Sequence, residues 1–259
     1  MIRLLMIGDV VGECGCETLS RHLWQLKKWK GAALVIVNGE NSAKGNGITI
    51  ASATQLFAAG ADVITTGNHV WRRREIYHYL DDARYVVRPA NYPFACPGMG
   101  YTIFTVKTVR VCVINLLGLV YMDALENPFT CADRLLEKLA GQADLFVVDF
   151  HAEATSEKKA LALHLDGRIQ ALVGTHTHVQ TADAKVLPGG CAFITDLGMT
   201  GADDSILGVR KDEVIHRFLT KMPVRFEEAW GEPLLCGACI TLDEEKKRAV
   251  EMEAIRLEG

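Results

Sequence analysis

Short runs of consecutive apolar residues alternate along this chain with longer stretches whose apolar positions recur at helical spacing. Residues 2–7 predict a strand, and residues 16–29, with Leu19, Leu23 and Leu26 near a helical period, predict a helix. Residues 33–37 form a continuous apolar run, read as a buried strand. Residues 50–59 predict a helix stopped by Gly60, residues 62–65 a strand, residues 72–80 a helix and residues 85–87 a strand. This βαβαβαβ order implies a largely parallel sheet covered on both faces.

The second half changes character. Residues 101–106 and 109–116, two residues apart, predict a hairpin. A helix is expected near residues 131–140, with Thr130 and Asp133 at capping-box spacing. Strands at 145–150, 170–173 and 191–195 alternate with helices at 156–165 and 211–220, and residues 234–242 and 249–256 predict a closing antiparallel pair. No repeat, low-complexity stretch or flexible linker interrupts the pattern, so one domain over residues 1–259 with two packed sheets is expected.

Polar residues collect where the predicted strands end. The first strand runs into Gly8-Asp9, the second into Asn38-Gly39-Glu40-Asn41, and the third into Thr66-Gly67-Asn68-His69. Residues 145–150 run into His151-Ala152-Glu153, and residues 170–173 into Gly174-Thr175-His176-Thr177-His178. Ligands of open α/β sheets bind at the carboxyl ends of strands. A glycine there is expected to turn the backbone and present the next side chain inward. Asp9, Glu40, Asn41, Asn68, His151, His176 and His178 are all competent metal ligands. His176 and His178 share one side of an extended segment. Singly, each is as well explained by a turn, a cap or a structural histidine; together they point to a metal site.

Composition narrows the setting. The residues are 49% hydrophobic, enough for a substantial core, and the formal net charge of -4 gives no global basic field for gripping nucleic acid. The opening MIRLLMIGDVVG has a shorter apolar run than a secretory signal needs, and the apolar stretch 109–120 is broken by Arg110 and Asn115. A cytoplasmic protein with no membrane partner is expected. The cysteines, including the pairs Cys14/Cys16 and Cys236/Cys239, read as reduced, ordinary thiols. His22, His78, His164 and His216 fall on predicted helices without ligand spacing.

Several segments carry a wider likeness: GDVVG at 8–12, NGEN at 38–41, TGNHVW at 66–71, RPANYP at 88–93, FHAEATSEK at 150–158, VGTHTHVQTAD at 173–183 and ITDLGMTG at 194–201. In this order they resemble the calcineurin-like metallophosphoesterase superfamily, and much more closely its YmdB-like branch, over essentially the whole chain. Val11 stands where many superfamily members have His, and Glu40 where many have Asp; both fit the branch. The resemblance implies an α/β fold, a four-layer α/β sandwich of two mixed sheets flanked by helices. It implies that Glu40 bridges two metal ions, with Asp9, Asn41 and His178 completing one site and Asn68, His151 and His176 the other. His69 looks like the catalytic histidine. The branch is regarded as using iron or manganese to hydrolyse phosphodiesters, including 2′,3′-cyclic nucleotides.

The chemistry is coherent with those residues. Two divalent ions bring about +4, against formal charges on Asp9 and Glu40 alone, so the centre attracts an anionic diester. Metal coordination brings water acidity towards neutrality, and the attacking hydroxide displaces an alkoxide that needs a proton, for which His69 is the candidate general acid. Arg88 and Asn91 are candidate substrate contacts, Arg for its planar fork. Asp149 is either a support for His151 or a buried structural acid. RNA is a possible further substrate, and a homo-oligomer is expected only by analogy. The competing reading is a regulatory protein that keeps the metal site and acts by binding an RNA-processing or signalling partner.

Overall fold

The structure, a computed structural model, describes residues 1–258. Along the chain the elements run β1 (Ile2–Ile7), β2 (Asp9–Val10), α1 (Gly12–Lys30), β3 (Leu34–Asn38), α2 (Ile50–Ala59), β4 (Val63–Thr65), a 3₁₀ turn (Val70–Arg72), α3 (Ile76–Asp82), β5 (Val86–Val87), β6 (Tyr101–Val106), β7 (Val109–Leu117), α4 (Pro128–Lys138), β8 (Leu145–His151), α5 (Thr155–Leu165), β9 (Ala171–Thr175), β10 (Lys185–Val186), β11 (Ala192–Ile194), β12 (Met199–Ala202), α6 (Lys211–Thr220), β13 (Pro233–Asp243) and β14 (Arg248–Glu258).

In the first sheet β1, β3, β4 and β5 are parallel, and β13 closes on β1 antiparallel, carrying β12 beside β1 and β14 on its other edge. In the second, β7, β8, β9 and β11 are parallel, with β6 and β10 antiparallel at the two edges. Strand alternation sorts the side chains. Leu4 and Met6 of β1 face the second sheet and pack with Val113, Val147 and Val173. Leu5 and Ile7 face the other way, onto Leu19 and Leu23 of α1 and Leu56 of α2. On the far side, Ile114, Val148 and Leu172 pack against Leu135 of α4 and Leu161 of α5. The result is the four-layer α/β sandwich of two mixed sheets.

Most predicted elements stand within a few residues of their expected ends, and α2 and α6 match theirs. Three differences have physical causes. The helix expected over 72–80 is split into the 3₁₀ turn and α3, because Arg73 is extended, with φ −118° and ψ 111°. Helix α4 starts at Pro128 with the Asn127 side chain accepting from the Phe129 amide, so the expected Thr130/Asp133 box is not its cap. The short strands β2, β10 and β12 add to the expected set, since two to four residues carry no usable alternation. All eight cysteines are free thiols. Among the described residues no helix is long and apolar enough to cross a membrane.

Candidate metal centre

Parallel pairing puts the ends of β3 and β4 side by side, and the ends of β8 and β9 likewise in the other sheet. Packed face to face, the two sheets bring these ends to one cleft. Asp9 lies on β2, Glu40 and Asn41 follow β3, and Asn68 and His69 follow β4. His151 is the last residue of β8, and His176 and His178 follow β9. The structure brings all eight together. Asp9, Glu40, Asn41 and His151 are buried, while Asn68, His69, His176 and His178 are partly exposed.

Three of the histidines share one design. His151 Nδ1–H donates to Thr175 Oγ1 at 2.9 Å, and that hydroxyl donates to Asp149 Oδ1 at 2.7 Å. His178 Nδ1 meets the Leu207 carbonyl at 3.0 Å, and His176 Nε2 meets Glu153 Oε2 at 3.0 Å. With one nitrogen of each ring anchored outward, the other faces the cleft. This is how proteins orient metal-ligating imidazoles. Asp149 therefore acts on His151 through Thr175, while its other oxygen accepts from Asn38 Nδ2 at 2.9 Å and from the Thr65 hydroxyl.

The inward atoms form two groups. His151 Nε2 faces Asn68 Oδ1 at 3.0 Å, His176 Nδ1 at 3.1 Å and Glu40 Oε2 at 3.3 Å. Ligand atoms of Glu40, His151 and His176 all lie within 4.8 Å of one another. In the second group, His178 Nε2 lies 3.3 Å from Asn41 Nδ2 and 3.8 Å from Asp9 Oδ1, and Asn41 Nδ2 donates to Glu40 Oε1 at 2.9 Å. Glu40 thus offers one oxygen to each group. Asp9 Oδ2 accepts the His176 amide at 3.0 Å, but Oδ1 is buried with no hydrogen-bond partner. The imidazoles nearest to it, His151 at 3.7 Å and His178 at 3.8 Å, are too far for a hydrogen bond.

The electrostatics are those of a site short of positive charge. Burial pushes the Asp9 carboxyl up to about 6, against the pull of His178 and His151. Burial opposes ionisation of Glu40 too, but His151 and His69 hold it well below the usual carboxylate range. Burial disfavours the charged His151, yet neighbouring Glu40 raises it to about 9. His176 is driven down to about 3 by burial and by the His151 charge. A proton on His151 Nε2 faces three acceptors, Asn68 Oδ1, His176 Nδ1 and Glu40 Oε2, groups that would equally serve a bound cation. The orphan Asp9 oxygen and the N/O donor set fit a divalent metal ion.

His69 is built the other way round. Its inward Nδ1 lies 3.0 Å from Glu40 Oε1 and 2.9 Å from Asn41 Oδ1, and its amide donates to Glu40 Oε2 at 3.1 Å. Nε2 has no hydrogen-bond partner among the described residues, and the side chain is 22% exposed, so that nitrogen is open to an incoming molecule.

The two expected substrate contacts are both tied to backbone groups. Arg88 is buried, and its guanidinium donates to the carbonyls of Pro97, Pro89 and Cys96. Asn91, fully buried, donates to the carbonyls of Leu117 and Glu126 and accepts the Leu117 amide. Both residues also line a cavity of about 690 Å³. Conversely, sequence reasoning left Lys158, Thr175 and Asp196 without roles. Lys158 carried a signal: it sits on the stripe of Leu161, Ala162 and Leu165, where a lysine is unusual unless paired.

The chain is similar to known proteins over nearly its whole length. Residues 5–255 match the YmdB-like protein family. The chain is 46% identical over 254 residues to a 2′,3′-cyclic-nucleotide 2′-phosphodiesterase of Bacillus subtilis, covering 98% of this chain and 96% of that protein. A protein of Thermus thermophilus superposes with a TM-score of 0.93 at 41% identity, covering 99% of both chains. A phosphatase of Mycoplasma pneumoniae superposes with a TM-score of 0.94 at 34% identity, covering 99% of this chain and 93% of that one. Matched from end to end in sequence and in fold, the chain belongs to the YmdB-like protein family.

Proposed function

We propose that this protein is a phosphodiesterase that holds two ions of iron or manganese and hydrolyses 2′,3′-cyclic nucleotides or related small diesters. The observation that carries the reading is the set of three histidines, each anchored by one ring nitrogen and turned with the other into the cleft that holds Asp9 and Glu40. The Bacillus subtilis relative supports the substrate class. Asp9, Glu40, Asn41 and His178 would hold one ion, and Glu40, Asn68, His151 and His176 the other. When bound, the ions make a coordinated water more acidic and withdraw charge from the phosphate oxygens.

The chain supplies the rest. Asn41, Asn68 and the histidines contribute donors without formal negative charge, so the cleft does not repel a singly charged diester. His69, fixed through Nδ1, delivers a proton from Nε2 to the departing ribose oxygen. Such a step contributes about 10²- to 10⁴-fold to rate. The test compares leaving groups. Replacing His69 by Ala is expected to cut kcat on 2′,3′-cyclic AMP by about 10²-fold or more. It should cost far less on bis-p-nitrophenyl phosphate, whose leaving group needs no proton. Equal losses on both substrates would remove His69 as the proton donor.

A further inference from the structure

Asp196 and Lys158 form an ion pair with both side chains at 0% exposure, Lys158 Nζ lying 2.7 Å from Asp196 Oδ2. Nothing in the chemistry above uses it, and a buried pair is a weak device for stability alone. Its connections lead to the metal centre. Asp196 Oδ2 also accepts the Thr177 amide at 3.0 Å, and Thr177 separates His176 from His178. Those two histidines have φ of 103° and 65°, left-handed conformations that a non-glycine residue keeps only when its surroundings hold it there. Asp196 Oδ1 accepts the Gly198 amide at 2.9 Å, and the Gly198 carbonyl accepts the Asp9 amide at 3.1 Å. The backbone of Asp196 adds a second clamp, its carbonyl accepting from Thr181 N at 3.1 Å and its amide donating to Thr181 Oγ1 at 3.0 Å.

We propose that the buried Lys158–Asp196 pair is a positioning device for the metal centre. Asp196 sets His176 and His178 through the Thr177 amide and Asp9 through Gly198, while Lys158 balances its charge from α5. One carboxylate thereby fixes residues from both sheets. Glycine at 174 is part of the device, because a Cβ there would lie 2.8 Å from Lys158 Cδ and 1.8 Å from the Thr195 carbonyl oxygen. The proposal rests on the metal-site reading.

The experiment is a Co²⁺ titration followed by visible absorption, with folding checked by circular dichroism and thermal melting. It uses wild type, Asp196→Asn, the charge-neutral double variant Lys158→Gln/Asp196→Asn, and Leu161→Ala, a core truncation on α5. Both Asp196 variants are expected to bind Co²⁺ about 10- to 100-fold more weakly, with a changed ligand-field spectrum. Leu161→Ala should lose melting temperature but keep wild-type affinity and spectrum. Wild-type affinity and spectrum in a folded Asp196 variant would overturn the proposal, and so would an equal loss in Leu161→Ala. A wild-type protein that binds no Co²⁺ would instead remove the metal-site reading, and this proposal with it.

Discussion

Crowding governs the cleft at the residue scale. A Cβ on Gly67 would lie 2.3 Å from Glu40 Oε2 and 2.4 Å from His151 Cδ2, so Gly67→Ala must displace two inward-facing groups. Misplacement of about 1 Å costs catalysis about 10²-fold. A loss of that order in kcat/KM, with the fold retained by circular dichroism, is expected; wild-type kinetics would contradict it. The pattern of strand ends made the residues that meet in the cleft legible in the sequence, but the reason for their glycines was not. They were expected to turn the chain. Gly67 and Gly174 are needed for space, and the left-handed backbone falls on His176 and His178 instead. Close approach is a tertiary fact, which no local pattern records. The same holds for Arg88 and Asn91, whose partners are carbonyls up to 35 residues away in sequence.

At the scale of elements, the second sheet depends on how β7 meets β8. Arg110 on β7 donates from its amide to Asp144 Oδ2 at 2.8 Å and from its guanidinium to both oxygens, just before β8 begins. Those side-chain and backbone hydrogen bonds hold the Asp144 carboxyl down at about 2. Its folded value lies below its unfolded one, so the contribution is present above about pH 4 and fades as pH falls towards 2. The pair is partly exposed, which limits it to roughly 0.5–1 kcal/mol. Asp144→Asn should therefore destabilise by that amount at pH 7 in urea unfolding, with the difference from wild type shrinking at low pH. A difference that grows on acidification would contradict the assignment. These longer elements were readable because their apolar periods run for many residues. Strands β2 and β12 were not, and β2 carries Asp9. Its place in the sheet comes from pairing Asp9 with Met199, far along the chain.

For the whole molecule, the cleft exists because two separately paired sheets end at the same edge. Glu40 and Asn68 come from one sheet and His151 and His176 from the other, and the buried acids Asp149 and Asp196 tie the two together from below. Such a seam of carboxylates and imidazoles gains most from cations. The order of strands and helices announced two packed sheets, and the polar strand ends announced a shared site. The four-layer arrangement followed from the family resemblance rather than from periodicity.

The most direct test is the metal content of purified protein, measured with hydrolysis of bis-p-nitrophenyl phosphate, for wild type and Glu40→Ala. About two ions of iron or manganese per wild-type chain are expected, with metal and turnover both lost in the variant. A wild-type protein with no transition metal, and no turnover after adding Mn²⁺ or Fe²⁺, would contradict the account.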